Sequence, residues 1–151
     1  MKKTILFILV SFAINSFGQK MISRAGEIKF DATVSGAIDN VSAVDNTATA
    51  ILEKSSGDFV VQSMVKSFKF KLPLMQEHFN ENYMESNKFP KATFKGKIAN
   101  LADVNWSKDG KYTAKITGDL TIHGVTKPIT AIADLVVKNG KVDANTKFNI
   151  E

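Results

Sequence analysis

Between Tyr112 and Ile122 every second residue is apolar or small, namely Tyr112, Ala114, Ile116, Gly118, Leu120 and Ile122, while Thr113, Lys115, Thr117, Asp119 and Thr121 between them are polar. A period of two puts alternate side chains on opposite faces of a β-strand, so one face of this segment is built to be buried. The same alternation recurs along most of the chain. It places Ile28, Phe30, Ala32 and Val34 on one face of a strand over Gly26–Ser35, and Ala92, Phe94, Gly96 and Ile98 on one face of another. Further strands are expected over Thr47–Glu53, Phe59–Phe70, Ile129–Val137 and Val142–Ile150, with turns at Ser55-Ser56-Gly57-Asp58, Asp109-Gly110, Gly124 and Asn139-Gly140. Within Pro73–Tyr83 the period changes: Met75, Phe79 and Tyr83 recur every fourth position, which predicts a short amphipathic helix. The expected fold is therefore all-β, with seven strands and one short helix.

The N-terminus carries a different signal. Lys2 and Lys3 precede an apolar run from Ile5 to Ile14 and a polar exit at Asn15–Gln19, the pattern of a secretory leader cut between Gly18 and Gln19. The run is shorter than the ~20 apolar residues that span a bilayer. A leader over 1–18 and one domain over 19–151 are expected, with the product in the periplasm or outside the cell. The chain has no cysteine, so disulfides cannot supply its stability even in an oxidising compartment, and a packed core must do so. Of the formal charge of +5, two units leave with Lys2 and Lys3. The remaining lysines are scattered and Arg24 is the single arginine, which argues against a nucleic-acid surface.

Catalytic constellations are absent from the pattern. There is no Gly-x-Ser-x-Gly elbow, phosphate loop or dinucleotide fingerprint, and no enzymatic role is expected. The two histidines are His78 and His123, and the local group Glu77, His78, Glu81 and Glu85 reads as a solvated helix surface rather than a closed metal site. No metal or cofactor is expected. The inward faces mix large side chains with Ala32, Ala92, Ala114, Gly118, Ala131 and Ala133. Two readings stay open: small residues leave room for a ligand in a barrel interior, or they lie beneath close sheet contacts in a solid core.

Two stretches resemble the YceI-like family. His78–Phe94, ending in Phe89-Pro90-Lys91-Ala92-Thr93-Phe94, is similar to its helix-to-strand segment, and Gly118–Ile129 is similar to its Gly-x-Leu-Thr-Ile-x-Gly-Val-Thr-x-Pro motif. The resemblance implies a lipocalin-like antiparallel barrel of the periplasm that carries or sequesters a polyisoprenoid or other lipid-like chain in an apolar tunnel. Its lining is expected from Phe30, Phe68, Phe79 and Phe94, and from Ala114, Ile116, Gly118, Leu120 and Ile122 along one strand, with His123 a turn residue that has a polar partner. The alternatives are a ligand-free envelope stress or structural protein and an enzyme acting on an isoprenoid compound; a homodimer is left open. Members of the family usually continue beyond the point where Phe148-Asn149-Ile150-Glu151 stops. The barrel is therefore expected to lack its closing C-terminal strand and to expose an edge there.

Overall fold

The computed structural model describes residues 4–12, 20–38 and 40–151. Its strands are β1 (Thr4–Phe12), β2 (Lys20–Asp31), β3 (Ser42–Glu53), β4 (Asp58–Met64), β5 (Lys69–Phe70), β6 (Lys91–Ile98), β7 (Gly110–Ile122), β8 (Val125–Lys138) and β9 (Lys141–Ile150). Eight of them form a closed antiparallel ring in the order β1-β2-β3-β4-β6-β7-β8-β9, and β9 returns to β1. The two-residue β5 adds only the pairs Ala43↔Phe70 and Val44↔Lys69 beside β3.

The expected open edge after Ile150 is not found. Strand β9 pairs with β1 from Thr4↔Ile150 to Phe12↔Val142, and β1 pairs on its other side with β2 from Ile5↔Asp31 to Leu9↔Glu27. The closing strand is thus the N-terminal apolar run. Although nearly every residue in it is apolar, the pleat sorts them: Leu6, Ile8 and Val10 are buried, while Ile5, Phe7 and Leu9 are half-buried. The bond between Gly18 and Gln19, where leader cleavage is expected, lies outside the described residues.

All seven expected strands are present, and their boundaries differ for local reasons. Strand β2 begins at Lys20, ahead of the expected start at Gly26, because register shifts between Ser23 and Gly26 and between Gly26 and Ile28 break the alternation that would have marked its first residues. It ends at Asp31, so Val34 is exposed rather than inward. Hydrogen bonds from the Thr33 side chain and amide hold the Asp31 carboxyl below its usual range at this exit. The segment expected as one strand over Phe59–Phe70 is broken by a 3-10 turn at Val65–Ser67. Strand β8 starts at Val125, directly after His123 and Gly124, whose φ values of +52° and +72° make a two-residue hairpin turn of the type that matches strand twist. Asn139 and Gly140, at +50° and +73°, form the same turn between β8 and β9.

The helix covers one end of the ring. It is α-helical over Pro73–His78 and continues as a π-helical turn over Phe79–Tyr83. Pro73 suits a first helical turn, where its missing N–H has no partner to lose. Gln76 fastens the helix to β5, its Nε2 donating to the Phe68 carbonyl at 2.7 Å and its Oε1 accepting from the Phe70 amide at 3.1 Å. From this helix Phe79 points into the barrel end, with its ring centroid 5.7 Å from Phe30, 5.9 Å from Phe68 and 4.8 Å from Phe70. Tilted aromatic pairs at such distances add to the burial of the rings themselves.

Candidate functional site

The inward faces of the eight strands enclose two apolar chambers. The one beneath the helix has a volume of about 170 Å³ and is walled by residues that include Phe30, Phe68, Phe79, Leu120 and Ile122. The one toward the far end is smaller, about 60 Å³, and its wall includes Ala114, Ile116, Ala133 and Leu135. Ile8, Val61 and Phe94 belong to both walls and form a waist between them. Phe94 is held across the waist by edge-on contacts with Phe59 at 5.3 Å and Phe148 at 5.7 Å between ring centroids. An apolar cavity of about 150 Å³ stays dry and admits a benzene-sized guest, so the larger chamber is of ligand-accepting size without any rearrangement.

Phe30, Phe68, Phe79, Phe94, Ala114, Ile116, Leu120 and Ile122 all face these chambers. Gly118 does not. It sits opposite Gly96 in the β6–β7 ladder, and a Cβ there would lie 2.2 Å from the Lys95 carbonyl oxygen and 2.5 Å from the Gly96 Cα. Gly96 in turn is covered by the ring of Phe59, whose Cζ would be 2.7 Å from an added Cβ. Both readings of the small inward residues therefore hold at different positions: Ala114 and Ala133 border open volume, whereas Gly118 marks close backbone approach.

Several lining residues fall outside the sequence expectation. Leu6 and Ile8 come from the run read as a leader, and Ile150 from the strand read as an open edge. Met84 lines the chamber in place of Tyr83. In a π turn the amide of residue i+5 bonds the carbonyl of residue i, and the Met84 amide donates to the Phe79 carbonyl at 2.9 Å. The wider turn carries Met84 below Phe79 and swings Tyr83 into solvent, where it is 72% exposed. Alternation of β4 beyond Val61 could have pointed to Ser63, which is buried and lines the helix-side chamber. Its hydroxyl donates to Asp45 Oδ2 at 2.5 Å, and the fully buried Asp45 also accepts from the Thr47 amide and hydroxyl at 2.8 and 2.6 Å through Oδ1.

The segments His78–Phe94 and Gly118–Ile129 meet at the rim. His123 Nε2 lies 2.7 Å from Glu85 Oε2, and the His123 ring packs edge-on against Phe89 at 4.6 Å. Glu85 has a φ of +43° and His123 one of +52°, so two non-glycine residues in left-handed backbone face each other across this contact. A Cβ on the adjoining Gly124 would meet Phe89 Cε1 at 2.7 Å. The polar partner expected for His123 is thus Glu85, and the contact fastens the β7–β8 hairpin to the end of the helical segment. His78 points elsewhere, with Nδ1 2.8 Å from Asn82 Nδ2. Among the described residues no group of three or more histidine, aspartate or glutamate side chains is placed to hold a metal.

A closed eight-stranded antiparallel barrel with one capping helix and an apolar, two-chambered interior places the molecule among lipocalin-like barrels. The family model of the YceI-like domain matches residues 12–151, and the chain belongs to that family. A UPF0312 protein of Pseudomonas fluorescens is 37% identical over 54 residues, a match covering 36% of this chain and 26% of that protein. The matched segment thus spans about a quarter of that relative's length. Among solved structures, a polyisoprenoid binding domain from Saccharophagus degradans implicated in plant cell wall breakdown superposes with a TM-score of 0.58 at 8% identity, covering 99% of both chains. The YceI protein of Campylobacter jejuni gives a TM-score of 0.49 at 17% identity, covering 78% of this chain and 88% of its own.

Proposed function

We propose that the barrel carries or sequesters a polyisoprenoid or similar lipid-like chain, and that the protein does so after export to the periplasm or beyond. The observation that carries this reading is the interior itself: apolar side chains from every strand of the ring wall two adjoining chambers, with no convergent acid, base and nucleophile among them. Binding without chemistry is the use such a cavity suits. The polyisoprenoid binding of the Saccharophagus domain, which shares the fold, supports the choice of ligand class. A longer chain would run from the helix-side chamber past Phe94 into the smaller one, with the Phe94 ring turning aside.

The same waist is the observation that favours the alternative of a ligand-free envelope protein, because with Phe94 in place neither chamber alone holds a long chain. Native mass spectrometry of the protein purified from its own envelope separates the two. A retained mass in the range of an isoprenoid or other lipid is expected. A bare polypeptide mass under conditions that preserve known lipid complexes would exclude the carrier role.

Export adds a condition. Processing between Gly18 and Gln19 removes β1 from the ring and leaves the facing backbones of β2 and β9 unpaired along the seam. The processed molecule must fill that seam with another strand to keep an enclosed interior.

A further inference from the structure

We propose that Ser63, backed by Asp45, is the polar anchor of the helix-side chamber, and that the ligand held there ends in an uncharged hydrogen-bond donor such as a hydroxyl rather than in a phosphate. The inference rests on the carrier reading and specifies the head of the ligand. Of the sixteen residues around this chamber only Ser63 and Thr93 are polar, and Thr93 shares the outward alternation of β6 with Lys91, Lys95 and Lys97. Ser63 is 2% exposed and lines the chamber, with its hydroxyl against Asp45 and, at 3.4 Å, the Met64 carbonyl.

The direction of its hydrogen bond decides the chemistry. A serine hydroxyl has one proton and two acceptor sites. The proton is committed to Asp45, 2.5 Å away, whose carboxylate accepts from three donors and is reached by no salt bridge among the described residues. What Ser63 turns to the chamber is acceptor capacity, and a ligand must bring the proton. An alcohol O–H supplies it. A phosphate brings mainly further acceptors together with negative charge, beside a buried carboxylate and with no lysine or arginine in the chamber wall.

The test uses the full chain and displacement of the fluorescent probe 1-N-phenylnaphthylamine by farnesol, farnesyl methyl ether and farnesyl phosphate. These share one chain and differ in whether the end donates a hydrogen bond or carries charge. Farnesol is expected to bind about fivefold more tightly than the ether, the ratio one neutral hydrogen bond supplies, with the phosphate weakest. Ser63→Ala should erase the preference for alcohol over ether, and Asp45→Asn should narrow the gap between alcohol and phosphate. If either variant fails to fold, the wild-type ranking decides alone. Equal binding of all three, or tightest binding of the phosphate, overturns the anchor and leaves the carrier reading standing. A Ser63→Ala protein that melts lower but keeps the ranking also overturns it, since a purely structural bond would behave so. Binding of none of the three by wild type removes the carrier reading and the anchor together.

Discussion

Ala114 and Gly118 occupy the same face of β7 four residues apart and are both small, yet their neighbours give them different tasks. Gly118 is small because the backbone of β6 comes within reach of any Cβ, and the contact partners are main-chain atoms that cannot move aside. Ala114 is fully buried but borders the smaller chamber, so a larger side chain there grows partly into open volume. Ala114→Ile is therefore expected to weaken displacement of the fluorescent probe by farnesol about tenfold while costing less than the ~1–3 kcal/mol typical of overpacking a filled core. Thr113→Val, on the outward face of the same strand, should change neither quantity by much. Titration and thermal melting of the three proteins check both halves, and a large loss of stability in Ala114→Ile with unchanged binding would show a solid interior at that level.

At the scale of elements the capping helix is the informative one. Its α-helical start follows from Pro73 and the apolar spacing, but the turn over Phe79–Tyr83 is π-helical, and one added residue per turn rotates everything after Phe79. Met84 thereby replaces Tyr83 as the second side chain beneath the helix. Met84→Ala is expected to destabilise the protein by about 2 kcal/mol, at the low end for a buried large-to-small change because the site is only half-buried, and to weaken ligand binding. Tyr83→Ala should be within about 0.5 kcal/mol of wild type, as an exposed substitution away from any network. Denaturant unfolding of the two variants measures the difference, and the reverse order would place the helix in α register throughout. The hinge between helix and hairpin is the His123–Glu85 contact, whose side chains are 38% and 44% exposed, so its role is to orient the rim more than to supply stability.

For the whole molecule the decisive element is β1. It pairs with β9 along nine residues and with β2 along five, so the ring is closed only while Thr4–Phe12 remains attached. The chain over 1–151 is expected to be monomeric, whereas the chain over 19–151 should exchange strands between copies or aggregate through the open seam. Light scattering coupled to size-exclusion chromatography of the two chains at equal concentration reads the outcome. A monomeric 19–151 chain that melts as the longer one does would mean that the barrel closes without β1.

The period-two alternation places seven strands and most of their inward faces, because a strand's side-chain direction is set by its own backbone and needs no partner, while the turn residues Asn139 and Gly140 mark the hairpin between β8 and β9. Of the nine residues expected to line the interior, Phe30, Phe94, Ala114, Ile116, Leu120 and Ile122 face it for the same reason, whereas Phe68 and Phe79 are brought there by the 3-10 turn and the capping helix. What the alternation could not carry was anything defined by a neighbour. Whether a small inward residue borders a void or another backbone depends on the strand opposite, which is why Gly118 parted from Ala114. The Asp45–Ser63 pair joins positions eighteen residues apart that only the β3–β4 arrangement brings into contact. The N-terminal run illustrates the limit most clearly, since an apolar stretch interrupted only by Ser11 after two lysines satisfies the requirements of an export leader and of a buried strand alike. Local sequence determines how apolar a segment is and which way its side chains alternate; only the closed ring decides which edges need a partner, and here both edges of one gap take Thr4–Phe12.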